Sequence, residues 1–273
     1  SRQQQNQLPP EQRVIADQVG KSLMKGVTDF IEQADQITFG FAIDGKSKGT
    51  AIELAITAQP GSELSKQFDA AYKVKSMFGG LGSPDAAATG NVTVAMAKTD
   101  IAQAVGLLKV ARDAAMTELE KDSGVPADKR AGLKKALAGL FDVGQATIEK
   151  GKLDFGGAAN VGSELEVVLG AFVADGKKLE GIVKDLVALG KGEPGFPDVK
   201  LDAGKHGDVT FHKIEIPTSE LDADARKVFG DHLEVVIGFG ADRALIAVGK
   251  DGQASLKSVL DLSLIHISEP TRR

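Results

Sequence analysis

Cysteine and tryptophan are absent from the chain, tyrosine occurs once, and no apolar run is long enough for a membrane-spanning helix. Without cysteine there can be no disulfide, no thiolate nucleophile and no cysteine-ligated zinc. Compartment stays open on this point, because disulfides are optional in exported proteins. So few large aromatics exclude an array of stacking platforms for bases or sugars. A spanning helix needs roughly 18–20 consecutive apolar residues, so the chain reads as soluble and any anchor is expected outside it. Clustered cations are missing too. The formal net charge is -5 and no Lys/Arg stripe occurs, which argues against a nucleic-acid partner, since affinity for phosphate backbones rests on grouped positive charge.

What is present is a chain rich in small aliphatic residues, 42% hydrophobic over 273 residues. That is enough for a packed core in one large domain or two of roughly 100–150 residues. Pro9 and Pro10 precede apolar residues at Ile15, Val19, Leu23, Val27, Phe30, Ile31 and Ala34, the spacing of an amphipathic helix. From Ile37 the period becomes two. Ile37, Phe39, Phe41 and Ile43 alternate with smaller or polar residues, and after GKSKG the alternation resumes at Ile52, Leu54 and Ile56, predicting a β-hairpin. A short helix follows Pro60-Gly61-Ser62, then a glycine-rich stretch, then a strand carrying Val92, Val94 and Met96. A helix from Thr99 or Asp100 to near Gly124, with Asp100 as N-cap, and a second beginning at Pro126 predict an antiparallel helical hairpin.

The pattern then recurs. Hairpin strands at 153–161 and 165–173 lead to a helix at 176–189, with Phe155-Gly156 standing where Phe39-Gly40 stood. The stretch GKGEPGFPD leads to a strand at 209–216, whose apolar parity slips between Phe211 and Ile214, suggesting a bulge. A helix across 218–229 and a third hairpin at 233–249 follow. Asp251-Gly252 opens a third helix as Asp175-Gly176 opened the second. The repeat offset is domain-sized, not the roughly 20–50 residues of a solenoid. The expected fold is α+β: antiparallel sheet or sheets of β-hairpins covered by helices, with a duplicated strand-strand-helix unit and a third, truncated one. Residues 1–125 form the first unit and 126–261 the second plus the start of the third. The alternation predicts that helices bury the apolar face and that Thr38, Glu53, Thr57, Thr93 and Glu166 lie on a wet one.

Two catalytic signatures overlap in one turn. Residues 40–47 spell GxxxxGKS, the phosphate-binding loop, and 45–49 spell GxSxG, the nucleophile elbow of serine hydrolases. Both need a strand that passes directly into a helix. Here Phe41 and Ile43 continue a strand and another strand is expected downstream, so Lys46 and Ser47 read as residues of a solvated hairpin turn. No catalytic residue is assigned and the chain is not expected to be an enzyme. His206, His212 and His232 have Asp208 and Glu234 near them in sequence. His206 and His212 would stand roughly 20 Å apart on an extended strand, and His212 could meet His232 only if their strands adjoin. No metal or cofactor is assigned. The acidic residues Glu220, Asp222 and Asp224 lack the glycine and terminal Glu of a calcium loop and suit a helix start. Two glycine-rich loops present an aromatic residue each, and Phe78, Gly79, Gly80 and Phe196 are the candidate binding-loop residues.

Two resemblances complete the reading. LSLIHISEPTR, at 262–272, resembles one reading frame of a common sequencing adapter, so 262–273 are expected to be a non-native tail, with the natural chain stopping near Asp261. Ser1 and the polar run after it are not a signal peptide, and the true N-terminus is expected to be missing. HGDVTFHKIEIPTSE, at 206–220, and AVGKDGQASLKSVLD, at 247–261, resemble segments of large, uncharacterised exported bacterial proteins with tandem strand-strand-helix units. That resemblance implies a periplasmic or extracellular location and no activity. The expected function is a non-catalytic envelope or periplasmic domain that binds another protein or a surface polymer. The alternative is a carrier of an apolar ligand between sheet and helices, which requires an apolar cavity of roughly 300 Å³ or more beneath the helices. A nucleotide-binding protein using 40–47 is the disfavoured third reading.

Overall fold

The computed structural model describes residues 10–44, 49–79, 81, 86–161, 165–217, 226, 228 and 232–268. By contact the chain divides into two units, Ser1–Val74 and Lys75–Arg273, a spatial division that falls elsewhere than the 125/126 boundary drawn from the repeat. In the first unit α1 (Pro10–Gln33) leads into β1 (Ala34–Asp44), antiparallel β2 (Gly49–Ala58) and α2 (Glu63–Lys73). Gln33 at the end of α1 accepts the Leu64 amide at 2.7 Å, which ties α2 back to α1. Ile37, Phe39 and Phe41 are all more than half exposed. These three residues of β1, expected to be buried, face solvent.

The second unit holds β3 (Ala88–Ala95), α3 (Lys98–Lys121), α4 (Ala127–Glu149), β4 (Lys152–Val161), β5 (Leu165–Phe172), α5 (Gly176–Gly190), β6 (Val199–His206), β7 (Val209–Pro217), β8 (His232–Phe239), β9 (Arg243–Gly249) and α6 (Gly252–Ser268). Its strands form one antiparallel sheet in the order β3-β4-β5-β9-β8-β7-β6. The chain is therefore α+β with antiparallel sheets built largely from hairpins.

Register decides what each face carries, because residues directly opposite in a ladder point the same way. One face carries Gly156, Gly170, Val168, Leu245, Ala247, Val236 and Phe211. α6 packs across β5, β9 and β8 on that face, and Leu256, Val259 and Leu260 join the strand residues in the main buried core. The opposite face is covered over β7 and β8 by α5, whose Lys177 Nζ reaches Thr210 Oγ1 at 3.3 Å and the Phe239 carbonyl at 3.1 Å. α4 packs between α3 and α5, where Ala136 and Val143 meet Ile182. At Gly139 an added Cβ would stand 2.8 Å from Ile182, so the α4–α5 approach depends on a residue without a side chain.

Several expectations need correction in detail. β6 is an addition to the expected elements, lying between GKGEPGFPD and β7, where its alternation, Val199, Leu201, Ala203, is short and ends at Gly204. The bulge lies there and not in β7: the β6–β7 register shifts between Lys200 and Gly204, with Asp202 at φ 51°, while β7 pairs with β8 without a break. The parity slip in β7 arises because both its faces are buried, Phe211 on one and His212 on the other. α3 is not capped by Asp100. Ala97 precedes its first residue with no side-chain cap, and Asp100 sits inside the first turn. The helix expected across 218–229, with Glu220, Asp222 and Asp224, lies largely outside the described residues.

Candidate interaction face

Where neither α5 nor α6 reaches, one face of the sheet is bare. Val92 and Val94 of β3 pair with Phe155 and Leu153 of β4, Phe155 pairs with Ala171 of β5, and Leu169 pairs with Ile246 of β9. All lie on the face opposite the main core. Val92, Val94, Leu153, Phe155 and Leu169 are between 39% and 51% exposed, high values for a contiguous apolar row. Between them lies a hollow of about 370 Å³ lined by Phe155, Leu169, Ala171, Ile237, Ala244 and Ile246, with the backbone of Gly156, Gly170 and Leu245 as its floor. No helix residue lines it among the described residues.

The polarity of the sheet is thus the reverse of expectation at this end. Thr93 and Glu166, placed by sequence on the wet face, share the covered one: Thr93 is opposite Asp154, and Glu166 accepts a hydrogen bond from Ser255 of α6. The covered face is made of small residues, and the bulk comes from outside the sheet. Asp154, 3% exposed, accepts bonds from Ser76 Oγ at 2.6 Å and the Met77 amide at 2.8 Å and pairs with Lys152 at 2.8 Å. Burial opposes ionisation of this carboxyl, but Lys152, the Met77 amide and Ser76 together hold it below the usual carboxylate range. The pinned segment delivers Phe78 into a slot between Gly156 and Gly170, where an added Cβ would stand 2.6 Å and 2.5 Å from it.

This relocates the candidate loop residues. Phe78 is 4% exposed and belongs to the core, so it is unavailable at a binding rim. Gly79 is exposed, and Gly80 lies outside the described residues. Phe196, 39% exposed, leans on Gly190 and lines a hollow of about 530 Å³ with Val187, Lys191, Pro197, Val199 and Leu201, apart from Phe78 and the bare face.

The remaining chemistry-bearing residues sort as follows. Gly40 to Asp44 are part of β1, and β2 begins at Gly49, so the chain passes from strand to strand around 45–48, which lie outside the described residues. The strand-to-helix passage required by both literal motifs is not made here. β7 and β8 do adjoin, but His212 is opposite Ile237 and His232 opposite Pro217, at separate rungs. His212 instead gathers with Glu180 and Asp202. The cluster's own bonds argue against a metal there. The Asp202 amide donates to His212 Nδ1 at 3.0 Å, so a neutral ring must carry its proton on Nε2, leaving no lone pair there for a cation. Lys184 already bridges Glu180 and Asp202 at 3.0 and 2.8 Å, and Lys177 pairs with Glu180 at 3.0 Å. His206 pairs with Asp261 at 2.7 Å.

Burial is the main reason that the His212 pKa lies below its ordinary 6.5, with Glu180 opposing. The unfolded chain then takes up the proton more readily than the folded one. Stability held above about pH 6.5 is lost as pH falls through the lowered folded value. Denaturant midpoints of the wild type are expected to drop as the pH falls below about 6.5, and His212→Gln is expected to remove part of that drop. An equal pH dependence in the variant would show that His212 titrates normally.

No family model, curated protein or solved structure matches the chain.

Proposed function

We propose that the chain is a non-catalytic binding module that holds a partner protein against the bare apolar face of β3, β4, β5 and β9. One observation carries the reading: this face is left uncovered while the opposite face of β4, β5 and β9 packs against Phe78, Leu81 and α6. Isolated exposed apolar residues are ordinary, but a contiguous set rimming a hollow is the usual mark of a docking surface.

The carrier reading is weaker on the same grounds. Beneath α6 the space is filled, except for a gap of about 290 Å³ lined by Leu81, Val168 and Val259 together with the polar Asn160, Glu166 and Ser255, so no continuous apolar cavity lies there. The apolar hollow of about 370 Å³ is large enough, but one sheet alone lines it, whereas small-ligand sites bury most of their guest. A partner's surface supplies the missing wall. Among the described residues no helix is long and apolar enough to cross a membrane. An extracytoplasmic setting is part of the proposal, supported by the resemblance of 206–220 and 247–261 to exported bacterial proteins.

A photo-cross-linking residue at position 169, used in cells that make the protein, tests the reading. A discrete protein adduct is expected that excess unlabelled chain competes away and that Phe155→Lys abolishes. Adducts only of lipid size would favour the carrier, and no adduct at all would remove the proposal.

A further inference from the structure

The two ends of the seven-stranded sheet are built differently. β6, at one end, carries Lys200, Asp202, Lys205 and His206, follows Pro197, and is broken by the bulge at Asp202. Charge, proline and bulges are the devices that keep a sheet edge from pairing with another chain. β3, at the other end, has none of them. Its sequence, ATGNVTVA, contains no charge and no proline, its register with β4 is unbroken from Ala88 to Ala95, and among the described residues no strand pairs with its outer side. An open edge directs alternate N–H and C=O groups outward, and the partner that satisfies such a row is another extended backbone.

We propose that β3 pairs antiparallel with β3 of a second copy of this chain, giving one continuous sheet across a two-fold axis normal to it. A two-fold interface sets a strand against its own image, and an uncharged strand meets that image with no like charges opposed. β6, preceded by Pro197 and interrupted by the bulge at Asp202, does not offer such an unbroken row. The axis keeps the bare face on the same side in both copies, and a register centred on Thr93 puts Val92 of one copy opposite Val94 of the other. The two apolar faces then join as one strip. This deepens the proposed function without depending on it, since the edge holds the pair and the face stays open. One strand pair falls short of a standard interface of roughly 1,200–2,000 Å², so association is expected near micromolar concentration.

Sedimentation velocity on the full chain, over about 1–200 μM, tests this. The wild type is expected to dimerise. Gly90→Lys, where nothing lies within 4 Å of an added Cβ, should fold normally, guard the edge and weaken the dimer at least about tenfold. Leu169→Lys, on the bare face two strands in, should leave the dimer intact, and β3 amides should exchange more slowly as concentration rises. A wild type that stays monomeric overturns the proposal, as does a dimer indifferent to Gly90→Lys. Loss with Leu169→Lys alone would mean face-to-face association, ending the edge pairing while leaving the face as the docking site.

Discussion

Phe78→Ala is expected to lower the unfolding free energy by about 3–5 kcal/mol, the usual cost of emptying an aromatic site in a packed core. The size of the effect follows from how the site is made. Gly156 and Gly170 face each other across β4 and β5, and Phe78 occupies the space that their side chains would take, its Cβ against Gly156 and its ring against Gly170. Collapse is hindered because Asp154 fixes the segment through Ser76 and Met77, so the chain cannot slide to refill the void. The reciprocal change makes the same point. Gly170→Ala would set a methyl group 2.5 Å from the ring, an overpacking worth about 1–3 kcal/mol, and combining it with Phe78→Leu should recover part of that loss. Equilibrium urea unfolding of the single and double variants reads all three. If Phe78 were instead a ligand-contacting loop residue, its removal would leave stability nearly unchanged.

The period changes from 3.6 to two made most elements legible in the sequence, since proline, glycine and alternation mark their ends. The faces were less legible. Alternation separates the two sides of each strand but does not say which side is covered, since here the large residues Phe155 and Leu169 share the bare one. The missing signal was the smallness of Gly156, Ala158 and Gly170: a sheet face made of small residues is one onto which something large must pack, here Phe78, Leu81 and α6. Covering that face required chain segments distant in sequence, and no local pattern announces them. β6 escaped for a related reason, its alternation ending in a bulge that Asp202 makes in order to offer its amide to His212. The Glu180–His212 contact joins α5 to β7, a pairing that only the tertiary fold creates.

Neighbouring residues on opposite sides of β5 give the most direct test. Val168 is 3% exposed and lies in the core beneath α6, while Leu169 is 51% exposed on the bare face. An aspartate at 168 would be a buried carboxylate without a partner, which either costs several kcal/mol or forces protonation. The same side chain at 169 would stand in water, where surface changes usually stay within about 0.5 kcal/mol. Thermal unfolding of Val168→Asp and Leu169→Asp should therefore separate sharply, the first unfolded or deeply destabilised and the second close to wild type. The opposite order, with Leu169→Asp unfolding the chain and Val168→Asp tolerated, would contradict the assignment of the faces and with it the proposed docking surface.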